Sequence, residues 1–256
     1  MDLVKRIDSF NLSPDAVLQR AEVMRQLALL PGERIVDLGC GLGHLCQSMA
    51  DLVGKTGSVT GVDISPEIVD AASQRNHCSW LSYECCDIMA SHGLGKTFDI
   101  ATCVQVLEYL PQVDTAIKNV FDSLKPSGRA LFVATDWDGV IWHSDVPSTM
   151  ASIMNAWRTH CLHPGLPRTM APRAREAGFV LDEVSALPIL NLEFHDGTYS
   201  HGLAEVIGEF VLSRGLISVD EYERWIHDLE SLYADGRYFF YSSRFLFRVS
   251  KPQGGA

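Results

Sequence analysis

The chain has 256 residues, 46% of them hydrophobic and 21% charged, and a formal net charge of -11. That is enough apolar material for one α/β domain with an insertion. The acidic balance argues against wrapping a phosphate backbone, which needs a basic surface, so no nucleic-acid partner is expected.

Ser13-Pro14-Asp15 spells an N-cap, a first-turn proline and a first-turn acid. Val17, Ala21, Met24 and Ala28 predict the amphipathic helix behind it, ending at Pro31-Gly32. Residues 33–38 are a short buried strand that runs into a glycine loop. Leu45, Met49 and Leu52 carry the next helix as far as Gly54, and 58–64 is a second strand. Ser65-Pro66-Glu67 opens another helix, which fades near Arg75. Further strands are expected at 80–86, 98–105 and 129–135. A helix on Ile117, Val120, Phe121 and Leu124 precedes the last of these, stopped by Lys125-Pro126-Ser127-Gly128. Five strands alternating with helices predict a parallel sheet covered on both faces.

From Asp136 the pattern loosens. Met150, Ile153, Met154 and Trp157 mark one helix and residues 171–177 another, followed by a long strand at 179–194 interrupted at Pro188. Two helices come next, the first on Leu203, Val206, Ile207 and Phe210. The second opens with a capping box, Ser218-x-x-Glu221, and carries Trp225, Ile226, Leu229 and Leu232. Residues 239–249 close the chain as a last strand. With no internal repeat and no low-complexity linker, residues 1–256 read as a single domain.

No apolar run reaches the roughly 18 residues of a spanning helix, and residues 1–8 lack the apolar run of a secretory signal. A cytoplasmic protein without membrane contact is expected. Seven cysteines with no Cys-x-x-Cys spacing read as free thiols. The adjacent pair Cys85-Cys86 could take a soft metal, but is simpler as two strand residues facing opposite sides.

The chemistry concentrates at Val36-Asp37-Leu38-Gly39-Cys40-Gly41-Leu42-Gly43 and at Asp63, twenty residues beyond the last glycine. Glycines at i, i+2 and i+4 let a strand turn sharply into a helix while its backbone approaches a ligand. A carboxylate one βα unit later can grip a ribose diol, since it accepts two hydrogen bonds at once. The dinucleotide fingerprint places its third glycine one residue later. The closer spacing here, and Asp37 inside the motif, point away from a pyrophosphate and toward a nucleoside without phosphates.

This Hyd-Asp-x-Gly-x-Gly-x-Gly form with its second acid resembles the class I S-adenosylmethionine-dependent methyltransferases. The resemblance covers roughly residues 15–250 and is strongest over 33–135. It implies a Rossmann-like seven-stranded sheet, mostly parallel, whose last strand is antiparallel and inserted between strands five and six, with a helical lid insertion. The core would be 15–135, 171–195 and 237–250, and the lid and acceptor segments 1–14, 136–170 and 196–236. It implies S-adenosyl-L-methionine as cofactor. Gly39, Gly41 and Gly43, with Asp37 in the same motif, would face its methionine part. Asp63 would take the ribose, Ile64 would lie against the adenine, Asp87 and Ile88 would meet the adenine edge, and Gln105 would complete the site.

Within that family, Val106-Leu107-Glu108-Tyr109-Leu110, Asp136-Trp137-Asp138 and Arg244-Phe245-Leu246-Phe247 look most like the quinone-biosynthesis and arsenite methyltransferase branch. Only Cys161 lies in the C-terminal part, against the several metalloid-binding cysteines of arsenite enzymes. The motifs of DNA and protein-arginine methyltransferases are missing too, which leaves a small-molecule acceptor methylated on O, N or C, without a metal. A homodimer is compatible with this reading. Residues 136–143, with two acids, two tryptophans and a histidine, would wall the acceptor, with His143 or Asp136 as proton acceptor and Glu108, then Tyr199, as further candidates. His160, His195 and His201 read as structural. Two other readings stand beside this one: an NAD(P)-dependent oxidoreductase, and a protein that binds the sulfonium for regulation or for a reaction other than methylation.

Overall fold

The computed structural model describes residues 8, 11–90 and 97–253. Most of the expected N-terminal lid segment, residues 1–7, 9 and 10, lies outside them. The elements in chain order are α1 (Pro14–Leu27), β1 (Arg34–Leu38), α2 (His44–Val53), β2 (Ser58–Asp63), α3 (Pro66–Gln74), β3 (Leu81–Cys85), β4 (Phe98–Val104), α4 (Val113–Ser123), β5 (Leu124–Thr135), β6 (Ile141–Trp142), α5 (Pro147–Trp157), α6 (Pro167–Glu176), β7 (Val180–Asn191), α7 (Tyr199–Ser213), α8 (Val219–Ala234) and β8 (Phe240–Ser250).

One sheet runs β3-β2-β1-β4-β5-β8-β6, and β7 pairs along β8 as well. The first five strands are parallel, and β8 runs antiparallel between β5 and β7. The antiparallel last strand therefore sits where the resemblance implied, and the fold is the Rossmann-like one. The two-residue β6 extends the sheet beside Phe240 and Tyr241, and nothing in the periodicity announced it.

The strand pleat divides the core. Ala130, Phe132 and Ala134 point to the face covered by α4 and α6, with Val36, Leu38 and Phe247. Leu131 and Val133 point to the face covered by α1 and α2, with Ile35, Met49 and Leu246. A third apolar cluster, with Trp142, Trp157, Tyr199, Trp225 and Phe240, joins α5, α7 and α8 to the start of β8.

Three local expectations shift. The buried stripe of α1 is Ala16, Gln19, Val23, Gln26 and Leu27, while Val17 lies exposed. Two glutamines sit inside that stripe, so hydrophobic spacing alone selects the wrong face. Strand β7 is continuous through Pro188, which pairs opposite Ser243. As an edge strand it tolerates the missing N–H. Strand β5 starts at Leu124, opposite Phe98, and a register shift absorbs the Pro-Ser-Gly turn with Ser127 at φ 64°.

Candidate active site

Strand β1 ends at Leu38, and three left-handed glycines carry the chain into α2, with φ 72° at Gly39, 54° at Gly41 and 78° at Gly43. Their surroundings differ. A Cβ on Gly39 would fall 2.2 Å from Val106, and one on Gly43 2.1 Å from the Tyr83 hydroxyl. A Cβ on Gly41 would meet nothing within 4 Å. Gly39 and Gly43 are thus needed for packing, whereas Gly41 borders a space that no atom of the described residues fills. Asp63 braces the loop, its Oδ2 accepting from the Gly41 amide at 3.0 Å and its Oδ1 from the Ser65 amide at 3.1 Å. Each oxygen retains a lone pair for a ligand.

Two cavities meet at this loop. One, of about 310 Å³, is lined by Asp63, Ile64, Asp87, Ile88, Met89 and Tyr109, with Gly39 and Gln105 at its edge. Ile64 is 68% exposed, an apolar side chain left bare beside the acid. The Asp87 carboxylate is turned by the Met89 amide at 2.9 Å. The other cavity, about 210 Å³, lies between the loop and α1 and includes Asp37, Gly39, Gly41 and Gln105. Gly39 and Gln105 border both, so together the cavities form one elongated cleft. The structure thus gathers all nine residues expected at a cofactor (Asp37, Gly39, Gly41, Gly43, Asp63, Ile64, Asp87, Ile88 and Gln105) around one loop. An apolar wall, an acid beside it and a glycine loop open at Gly41 have the chemistry to suit a nucleoside joined to an amino acid.

Asp37 is buried and hydrogen-bonded to Thr102 Oγ1 at 2.6 Å and to the Cys46 thiol at 3.2 Å. Burial raises its carboxyl to about 6, the Thr102 and Cys46 hydrogen bonds opposing and the nearby Asp63 charge adding to the shift. Gln105 has φ 56°, a strained setting for a side chain that is common at functional sites. It anchors a polar chain across four elements. Gln105 Nε2 donates to Thr135 Oγ1 at 3.0 Å, Gln19 Nε2 donates to Gln105 Oε1 at 3.4 Å, and Arg244 Nη1 donates to Gln19 Oε1.

The acid–base candidates do not share one cavity. His143 lies in a broad depression of about 690 Å³ with Val140, Met150, Met154 and Phe239, 3.9 Å from Asp145. That depression shares no lining residue with the cleft. Asp136 is paired with Arg168 at 3.0 Å. Trp137 and Trp142 are buried in the third apolar cluster. Glu108 is fully buried after β4, its Oε1 accepting from the Thr135 amide at 2.8 Å while Oε2 has no partner among the described residues. Burial pushes its carboxyl up to about 7, against the opposing pull of the Thr135 amide and Arg244. His160 stacks on Trp157 at 3.8 Å, and desolvation lowers it to about 4.

Sequence reasoning missed Gln19 and Arg244. Each had a signal: a glutamine on a helix's buried stripe, and an arginine within an otherwise apolar strand. The expected lid helices α7 and α8 pack on α5, β6 and the start of β8. None of their residues lines either cavity of the cleft, and Tyr199 meets only its border, its ring 5.0 Å from the Arg244 guanidinium. The glycine-loop cavity itself is roofed by α1, through Ala16, Gln19, Arg20 and Val23.

A family profile described as a methyltransferase domain matches residues 35–128. A ubiquinone biosynthesis O-methyltransferase of Coxiella burnetii is 36% identical over 118 residues, 44% of this chain and 48% of that protein. The chain thus matches about half the length of such curated relatives. Among solved structures, the cyclase SpnF superposes with TM-score 0.63 at 21% identity, covering 93% of this chain and 82% of its own. Phosphoethanolamine N-methyltransferase 2 of Haemonchus contortus, solved with S-adenosyl-L-methionine, gives 0.62 at 16%, covering 98% and 57%. At these identities the structural likenesses establish the fold.

Proposed function

We propose that this chain, a member of the class I S-adenosylmethionine-dependent methyltransferase family, binds S-adenosyl-L-methionine along the cleft and transfers its methyl group to a small organic acceptor. The observation that carries this is the Gly39–Gly43 loop braced by Asp63, with the space in front of Gly41 free of any atom of the described residues. Asp63 holds the ribose, Ile64 covers the adenine, Asp87 and Ile88 meet its edge, and Gln105 stands beside the methionine part. When bound, the cofactor supplies a sulfonium methyl that is already activated. The chain's own residues must then align the acceptor and exclude water. The name of the Coxiella burnetii relative, an O-methyltransferase, favours an oxygen nucleophile.

Of the four acid–base candidates Glu108 is best supported. It adjoins Gln105 through Thr135, keeps one oxygen unpaired, and titrates near neutrality. His143 and Asp136 remain the comparison variants. The enzyme is read as cytoplasmic, without nucleic-acid partners; no helix among the described residues is long and apolar enough to cross a membrane. Size-exclusion chromatography with light scattering distinguishes monomer from homodimer.

Calorimetry with S-adenosylmethionine, S-adenosylhomocysteine and NAD tests the reading. Binding of the first two and not NAD is expected, and Asp63→Ala should weaken both by at least about tenfold. Stabilisation by NAD alone would overturn it. The likeness to a cyclase leaves a second reading, in which the bound sulfonium assists a reaction other than methylation. A mass gain of one methyl on an acceptor excludes that reading.

A further inference from the structure

Arg244 is an arginine with 1% exposure in the middle of β8. It faces Thr135 of β5 and Leu187 of β7 in register. Its Nη1 is engaged by Gln19, while Nε and Nη2 have no partner among the described residues. Those two nitrogens form one edge of the planar guanidinium, the edge that a carboxylate spans with two parallel hydrogen bonds. A buried guanidinium with that edge unsatisfied carries a large desolvation cost unless an anion meets it.

The described residues supply none. Among the described residues no carboxylate forms an ion pair with Arg244. Glu108 attracts it at a distance, but its Oε1 is held by the Thr135 amide. The Tyr199 ring at 5.0 Å offers its face, not an oxyanion. Arg244 lines the roughly 210 Å³ cavity beside Gln105.

A second guanidinium, Arg20, lines the same cavity from α1, with Nη1 on the Asn11 carbonyl at 2.6 Å. The methionine part of the cofactor brings one carboxylate, whereas the cavity presents two cations.

We propose that Arg244 is the specificity residue for an acceptor bearing a carboxylate, gripped side-on through Nε and Nη2 while Gln19 fixes the plane of the guanidinium. This rests on the methyltransferase reading above and narrows its substrate class. It also explains how a chain of net charge -11 can hold an anion, since a buried, oriented cation acts locally where bulk charge is screened.

The test uses the full chain saturated with S-adenosylhomocysteine and titrated calorimetrically with benzoate and with benzamide, its neutral counterpart. Benzoate should bind at least about tenfold more tightly than benzamide. Arg244→Gln should abolish that preference, and Arg244→Lys, which keeps the charge without the fork, should retain only part of it. Should Arg244→Gln fail to fold, Gln19→Glu provides a second route. It sets a carboxylate against the guanidinium from within and should abolish benzoate binding.

Equal binding of benzoate and benzamide by the wild type, with S-adenosylhomocysteine still bound, overturns the proposal and leaves the methyltransferase reading intact. A tenfold loss of S-adenosylhomocysteine in Arg244→Gln, absent for the decarboxylated analogue, also overturns it by assigning Arg244 to the cofactor's carboxylate. Failure of the wild type to bind S-adenosylhomocysteine removes both.

Discussion

At the scale of single residues, the three loop glycines are needed for different reasons, and substitution should separate them. Gly41→Ala places its methyl in open space, so its folded-state cost is confined to the left-handed φ, about 1 kcal/mol. Binding of S-adenosylhomocysteine should fall by far more than stability does. Gly39→Ala drives a methyl into Val106 and should lower the melting temperature first, with partial rescue by Val106→Ala. Thermal melts with and without S-adenosylhomocysteine distinguish the two patterns; a Gly41→Ala protein that binds normally would remove this loop from the cofactor site.

Glu108 gives a pH signature. Its folded carboxyl titrates near 7, against 4.5 for the unfolded chain. Between those values the folded state holds the proton that the unfolded state has released, so stability falls as pH rises from about 4.5 to 7. Glu108→Gln should therefore match wild-type stability near pH 4 and exceed it at pH 8 by on the order of 3 kcal/mol. Denaturant melts at both pH values measure this, and a constant difference would locate the titration elsewhere. The same variant should lower kcat at saturating cofactor if Glu108 takes the proton.

The glycines and Asp63 were legible in the sequence because backbone freedom and an acid at a fixed interval have few other uses. Arg244 and Gln19 were not, because spacing rules treat every charged or amide side chain as solvent-facing.

At the scale of elements, α1 matters most. Ser13 Oγ accepts from the Ala16 amide at 3.3 Å and caps it, and its C-terminus closes on Ala28 at φ 46°. Ala16, Gln19, Arg20 and Val23 make it the roof over the glycine loop. Ser13→Ala should cost about 1 kcal/mol of stability and loosen the roof. Hydrogen exchange over residues 14–27 should then be faster in the variant and slowed by S-adenosylhomocysteine in both proteins. Exchange in α1 that ignores the ligand would detach the helix from the cleft.

The existence of this helix was plain from Ser13-Pro14-Asp15, and its face was not. Gln26 binds Ser185 of β7 at 3.1 Å, a partner more than 150 residues away that no local pattern reveals. The two-residue β6 escaped for a related reason, since its pairing is set by Phe240 and Tyr241 of the last strand.

At the scale of the whole molecule, the parallel half of the sheet was readable from alternating strands and helices, because each βα unit carries its own periodicity. The region after Asp136 was less so. Its tryptophans look like an exposed aromatic wall in sequence but pack together, Trp142 with Trp225 at 5.1 Å and Trp137 with Trp157 at 5.7 Å. Burial among partners from α5, α8 and β8 claims them for a separate core.

The Thr135–Gln105–Gln19–Arg244 chain joins β5, the residue that follows β4, α1 and β8 in one run of hydrogen bonds. Gln19 thus belongs at once to the roof of the cofactor cleft and to the cation at its far end. Two ligands that order the same glutamine cannot bind independently: each finds part of the ordering already done by the other. Their coupling must also be reciprocal. S-adenosylhomocysteine should raise the affinity for benzoate by the same factor by which benzoate raises that for S-adenosylhomocysteine. Gln19→Ala should bring both factors to one, as a closed calorimetric cycle would show.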